Sequence, residues 1–264
     1  MMKTNKFREI LNSGRPSIGT RISSTWPTIT EAAASTGKFD YVEFVAEYAP
    51  FSQVDLENIC RAAELHGICA MIKIDFQNRA YVAQKAMASG FQALLFTDHK
   101  TPEEVRESLY CVRPDTPEYG GRMGYPNRRW IGYQTDLPQM EYAAMVRDTV
   151  AAFMVEKKEA MDHLEEICDI PGVDMVQFGP SDYSMSRGWN SSAHVDEYKT
   201  AERNMIRTAL KHGVQPRCEI NTAEEAAYYI DLGVRHFCLG DELRNNMTYW
   251  NNMGGALKSI VELL

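Results

Sequence analysis

Two carboxylates stand where short apolar runs give out. The run Phe153-Met154-Val155 ends in Glu156, and Met175-Val176-Gln177-Phe178-Gly179-Pro180-Ser181 leads to Asp182, 26 positions later. Paired hard oxygen donors of this kind suit Mg²⁺ or Mn²⁺, with water and substrate oxygens completing an octahedral shell. The Gly179–Asp182 turn also offers backbone N–H groups to a substrate carboxylate. Each residue has a plainer reading too: Asp182 as a cap within a Gly-Pro turn, and Glu156 as the ion-pair partner of Lys157 or Arg217. A cation, Arg21, closes another short apolar run, and Glu43 lies inside a further one, where an unpaired carboxylate is costly and a partner is expected.

Such residues act together only if the chain brings the ends of these runs to one place. Apolar, β-branched runs occur at 18–23, 41–46, 70–74, 93–97, 151–156, 175–178, 214–217 and 236–239, and most are followed by a segment of helical periodicity. That alternation implies a parallel sheet with crossover helices. Eight runs point to an α/β fold of the (β/α)₈ TIM barrel type, one domain spanning 1–264, with a doubly wound open sheet as the alternative. Gly37, Gly67, Gly90, Gly213 and Gly233 each precede a run, where a helix would end in a left-handed cap. The stretch 52–65 reads as a helix with Val54, Leu56, Ile59 and Leu65 on its apolar side. Thr101-Pro102-Glu103-Glu104 and Asn221-Thr222-Ala223-Glu224-Glu225 read as helix starts. In a barrel the active site lies at the C-terminal ends of the strands, where Arg21, Glu156 and Asp182 fall.

One segment breaks the rhythm. Residues 113–145 carry Arg113, Pro114, Gly120, Gly121, Arg122, Gly124, Pro126, Arg128 and Arg129, too many turn formers for a regular helix. The connection is either a lid or substrate loop, or a surface excursion that makes subunit contacts.

Composition narrows the partners. In 264 residues, 44% are hydrophobic and 24% charged, an ordinary globular balance, and the formal net charge is −8. An acidic chain without clustered Lys/Arg is not expected to bind nucleic acid or an anionic membrane. With no apolar run long enough for a signal peptide or a span, a cytoplasmic protein is expected. Six cysteines without a Cys-x-x-Cys pair read as small buried hydrophobes.

The segment from Ile167 to Ser184, with Gly172-Val173-Asp174 followed by Gly179-Pro180-Ser181-Asp182-Tyr183-Ser184, resembles the GVD-x-x-x-x-GP-x-D-x-S segment of the HpcH/HpaI aldolase family, metal-dependent pyruvate aldolases. Residues 14–19, 37–50 and 121–124 are similar to that family as well. The resemblance implies a (β/α)₈ barrel assembled as a homo-oligomer, usually a hexamer. It also implies a divalent metal (Mg²⁺ or Mn²⁺, with Co²⁺ an option) held by Glu156 and Asp182, with backbone groups at Ser181 and Asp182 on the substrate carboxylate. The metal would polarise the keto group of a small anionic 2-oxo acid and stabilise an enolate.

The chain departs from that pattern in informative places. The family's Asp-x-Glu-His run corresponds to Val45-Ala46-Glu47-Tyr48, so Asp and His are replaced and Glu47 is kept. Its Arg after strand three corresponds to Lys73, which keeps the charge and loses the bidentate fork. Its Gln before the metal Glu becomes Met154, and its "VP" after strand four becomes Phe96-Thr97-Asp98-His99. Candidate catalytic groups are therefore Tyr48, Lys73 and Glu47, with His99 a further acid/base option. Tyr48 would serve as a base only if a nearby cation lowered its pKa. Arg21, Lys73 and Arg122 could together receive a second anionic group, or Arg21 could pair internally with Glu43 or Glu47.

The reading that follows is a metal-dependent carbon–carbon lyase of the aldolase type acting on or producing pyruvate or a related 2-oxo acid. Alternatives are a citrate-synthase-like condensation on the same scaffold, a Schiff base on Lys73, or a barrel that only binds a ligand.

Overall fold

The computed structural model describes residues 4–125, 128–133 and 136–264. Eight parallel strands close into one barrel in sequence order: β1 (Ser17–Ile22), β2 (Tyr41–Val45), β3 (Cys69–Ile74), β4 (Ala93–Phe96), β5 (Val150–Val155), β6 (Met175–Phe178), β7 (Gln215–Ile220) and β8 (His236–Asp241). β8 pairs with β1 to complete the ring, with a register shift between Gly19 and Arg21. The barrel reading holds, and the open sheet is excluded. Seven strands lie within a residue or two of the expected runs, while β7 extends three residues further, to Ile220, and so carries Glu219.

Helices cover the outside. Ser52 and Asp55 cap each other's ends of the helix Gln53–Leu65, and Thr101 and Glu104 do the same for Pro102–Val112. In the first of these helices Leu56 and Ile59 are buried, but Val54 and Leu65 are exposed. The buried stripe continues through Cys60, Ala62 and Ala63 instead, small residues that let the helix lie close to the strands. The five glycines expected at helix ends all have positive φ. Cys111 is half-buried, and the other five cysteines are buried and unbridged.

The core has two parts. The larger lies between the strands and the helices. The smaller fills the lower barrel with Tyr41, Cys69, Met71, Ala93, Leu95, Val150, Ala152, Met154 and Met175, and is plugged from below by Phe7 and Ile10 of the helix Lys6–Ser13. Arg8 fixes that plug through a two-pronged contact with Asp174, at 2.6 and 2.7 Å. Tyr41 crosses above Gly19, where any Cβ would come within 2.2 Å of its ring.

The irregular connection packs against the outer wall. Met123, Trp130, Ile131 and Leu137 are buried in the larger core, and Arg129 bonds Glu64 and the Ser89 carbonyl. A helix, Gln139–Arg147, follows. Pro126 lies outside the described residues.

The last helix, Glu242–Val261, differs from the other α-helices among the described residues in having no buried residue. Leu243, Met247, Trp250, Met253, Leu257 and Ile260 are each more than half exposed, with Trp250 at 61%. No helix among the described residues is long and apolar enough to cross a membrane.

Candidate active site

A cavity of about 430 Å³ opens at the C-terminal ends of the strands, and its wall includes Arg21, Lys73, Glu156, Gln177, Ser181 and Asp182. Five of the predicted site residues (Arg21, Lys73, Glu156, Ser181 and Asp182) thus meet in one place. Glu47 and Tyr48 line an adjoining hollow that shares Arg21 and Lys73. Arg122 is elsewhere, so the expected cluster of Arg21, Lys73 and Arg122 does not form. Its backbone N–H donates to the Tyr110 carbonyl at 2.8 Å, near the end of the helix Pro102–Val112, and its side chain is exposed. That contact holds Arg122 against the outer wall of the barrel, away from the cavity lining.

Glu156 follows β5 directly and is 2% exposed. One oxygen, Oε1, accepts the Asp98 backbone N–H at 2.9 Å. Space for the other, Oε2, exists because residue 179 is glycine: a Cβ there would sit 2.6 Å from it. Burial pushes the Glu156 carboxyl up to about 7, and Asp182 and Asp98 add to the rise, while Lys73 and the Asp98 N–H oppose it. Glu156 is therefore a desolvated carboxylate whose burial Lys73 offsets only in part. Neither Lys157 nor Arg217, its expected alternative partners, is paired with it. Lys157 Nζ lies 2.6 Å from Asp98 and 3.7 Å from Asp182. Asp182 sits in the first turn of the helix Pro180–Ser186, and its side chain is about one-third exposed, at 35%.

Lys73, at the upper end of β3, pairs with Glu47 at 2.6 Å. Burial pulls its ammonium pKa down, but Glu156, Glu47 and Glu43 outweigh that and hold it above the ordinary value. A Schiff-base lysine needs the opposite shift. The protein's own groups do not tune Tyr48 downward. Its phenol is pushed up to about 12 by desolvation, and by Glu47, Asp182 and Asp98, which face it as negative charges. His99 is displaced from the acid/base list because its ring is buried among Phe76, Phe96 and Phe153, with Nε2 2.6 Å from Ser108 Oγ, behind the strands.

The cation expected to greet a second anion is already occupied. Arg21 bonds Glu219 at 2.7 Å and Asp241 at 3.2 Å, rather than Glu43 or Glu47. Glu43 is partnered as expected, by Arg217, which is fully buried and also bonds Gln177 and, at 2.8 Å, the Tyr41 hydroxyl. The sequence reading missed Glu219, Asp241 and Gln177. The available signal was β7 itself: in Pro216-Arg217-Cys218-Glu219-Ile220 charged residues occupy alternate positions, so both project from one face of the strand.

Among the described residues no group of three or more His, Cys, Asp or Glu side chains is arranged to hold a metal. The pair Glu156 and Asp182 nonetheless fits a hard divalent ion that keeps water or substrate oxygens in its remaining positions. Both are oxygen donors on one cavity wall, and the raised pKa of Glu156 marks a site where positive charge is favourable.

The comparisons agree with this architecture. A 2-keto-3-deoxy-L-rhamnonate aldolase of Escherichia coli O17:K52:H18 (strain UMN026 / ExPEC) is 30% identical over 261 residues, covering 94% of each chain. Among solved structures, citrate synthase SbnG superposes with a TM-score of 0.86 at 20% identity, over 98% of this chain and 100% of that one. The HpcH/HpaI aldolase from Desulfitobacterium hafniense DCB-2 does so with a TM-score of 0.84 at 21% identity, over 97% of each chain. The profile of one family, HpcH/HpaI aldolase/citrate lyase, matches residues 22–237. The chain therefore belongs to the HpcH/HpaI aldolase/citrate lyase family and is an enzyme of the aldolase and lyase type.

Proposed function

We propose that the protein is a divalent-metal-dependent carbon–carbon lyase of the aldolase type, acting on or releasing pyruvate or a related 2-oxo acid. The observation that carries this reading is the buried Glu156 carboxyl on one cavity wall with Asp182. The similarity to an aldolase whose name specifies a 2-keto-3-deoxy sugar acid supports the substrate class. Such an acid contains a pyruvate unit joined to an aldehyde-derived fragment.

In this reading Glu156 and Asp182 hold Mg²⁺ or Mn²⁺, with Co²⁺ an option. When bound, the ion supplies Lewis-acid polarisation of the keto oxygen. Backbone groups at Ser181 and Asp182 receive the substrate carboxylate. Lys73 contributes a fixed positive charge, kept ionised by its carboxylate neighbours. Glu47, ion-paired to Lys73 and almost fully buried, is the group suited to move a proton. Tyr48 remains a neutral phenol that donates a hydrogen bond, with Glu47 as its partner. Arg21 is a structural edge of the cavity, clamped between Glu219 and Asp241.

We further infer a homo-oligomer, the hexamer implied by the family resemblance being the specific form. The apolar exposed side of Glu242–Val261 supports it, since a soluble monomer rarely presents so long an uncovered stripe. The protein is expected to work in the cytoplasm on a small anionic substrate, without nucleic-acid or membrane partners.

The test is exchange of pyruvate methyl protons in D₂O, followed by NMR with and without added Mg²⁺, Mn²⁺ or Co²⁺. Metal-dependent exchange is expected, and Glu156→Gln should lower it by more than the roughly 10–100-fold typical of outer-sphere partners. Exchange that survives Glu156→Gln intact would remove the metal assignment. Turnover of oxaloacetate with an acyl thioester, in the absence of aldolase activity, would instead assign a condensation.

A further inference from the structure

The residue after Glu156 is a lysine whose position has no role in the reading above. Lys157 Nζ lies 2.6 Å from Asp98 Oδ1 and 3.7 Å from Asp182 Oδ1, and its side chain is only 14% exposed. Asp98 in turn gives its backbone N–H to Glu156. It does so from a left-handed conformation, φ 62°, that non-glycine residues seldom adopt. One residue at the end of β4 thus reaches both carboxylates: Glu156 through its backbone and Asp182 through the ammonium it holds.

We propose that Lys157, anchored by Asp98, sets the affinity of the site for its divalent ion by competing with that ion for Asp182. The inference rests on the assignment of Glu156 and Asp182 as ligands made above. The contacts of the lysine show why it matters. Its ammonium is shared between Asp98, at 2.6 Å, and Asp182, at 3.7 Å. Replacing Lys157 by a neutral residue removes that positive charge and leaves the Asp182 carboxylate in place. An ion bound to Asp182 would also lie within a few ångströms of the ammonium, and like charges at about 5 Å repel appreciably even in a water-like dielectric. Asp98 prevents the lysine from closing fully on Asp182, so the competition is partial and the ion can still enter.

Mn²⁺ binding to the full-length protein, followed by electron paramagnetic resonance of the free ion, tests the inference without reference to turnover. Lys157→Met should tighten Mn²⁺ binding about tenfold, Lys157→Arg should leave it near wild type, and Asp98→Asn should weaken it about tenfold. A gain in affinity cannot arise from a damaged fold, so the Lys157→Met result separates a charge effect from a structural one. If Asp182→Asn abolishes binding but Lys157→Met binds no more tightly than wild type, the inference is overturned and the metal assignment stands. If binding is indifferent to both Asp182→Asn and Glu156→Gln, or absent in every form, the metal assignment and this inference fall together.

Discussion

The upper barrel contains two arcs of charge that solve opposite problems. On β1, β2, β7 and β8 every charged side chain turned inward meets an opposite one: Arg217 with Glu43, and Arg21 with Glu219 and Asp241. On the β5 and β6 side, Glu156 and Asp182 gather acids faster than cations, and Glu156 is pushed up to about 7, burial being the largest cause. Buried charges that are paired and hydrogen-bonded can rest in a low-dielectric interior. Those left short of partners hold free energy that a ligand can release. The first arc is framework and the second is the place where a cation or substrate has something to gain.

The largest effect that would test this contrast is in the framework arc. Arg217→Met strands Glu43 inside the barrel and should cost about 3–5 kcal/mol in urea unfolding at neutral pH. The double variant Arg217→Met/Glu43→Leu should recover most of that loss. If the single variant is nearly neutral, the two arcs do not differ as described.

A smaller loss is expected at the boundary between the arcs and the active-site turn. Gly179→Ala would put a Cβ 2.6 Å from Glu156 Oε2 and 2.7 Å from its Cβ. Overpacking of this kind costs about 1–3 kcal/mol. Because the displaced group is a proposed ligand, Mn²⁺ binding should weaken as well, whereas thermal stability alone should change if Glu156 is merely structural.

The smallest effect lies behind both arcs, at His99. Its imidazole is lowered to about 3, first by burial and then by Arg79, so the folded protein keeps it neutral where the unfolded chain would charge it. Protonation thus favours the unfolded state. The associated stability is intact above pH 6.5 and is lost progressively as the pH falls from there towards 3. One unit below the ordinary histidine value the loss is about 1.4 kcal/mol. In urea titrations between about pH 6.5 and 5, His99→Gln should show a shallower decline than wild type. Equal slopes would mean that the ring titrates normally in the folded state.

Much of the barrel was legible because its signals are local. Short apolar runs, the helix start at Thr101 and glycines at helix ends each report the conformation of a few residues, and the structure reproduces them. The exceptions are also instructive. Val54 and Leu65 fit a helical stripe but lie exposed, because the wall against which the helix packs accepts Cys60, Ala62 and Ala63. In the long connection at 113–145 the turn formers lie ahead of Gln139, where a regular helix begins, and which side of the barrel the connection covers depends on contacts such as Arg129 with Glu64, 65 residues away.

By itself the sequence determined the order of strands and helices, and the fact that Glu156 and Asp182 follow two consecutive strands. Hydrophobic period and turn chemistry act over a few residues and survive in any tertiary setting. Only the tertiary structure decided which charges neutralise one another. Arg21 is joined to Glu219, 198 positions away, and Glu43 to Arg217, 174 positions away. Those pairings are created by closure of the ring, which brings β8 beside β1, and no local pattern carries that information. Pairing of the consecutive strands β4, β5 and β6 leaves Lys157 between Asp98 and Asp182, while His99 packs behind the strands and Arg122 sits against Pro102–Val112, away from the site where their residue types alone would have put them.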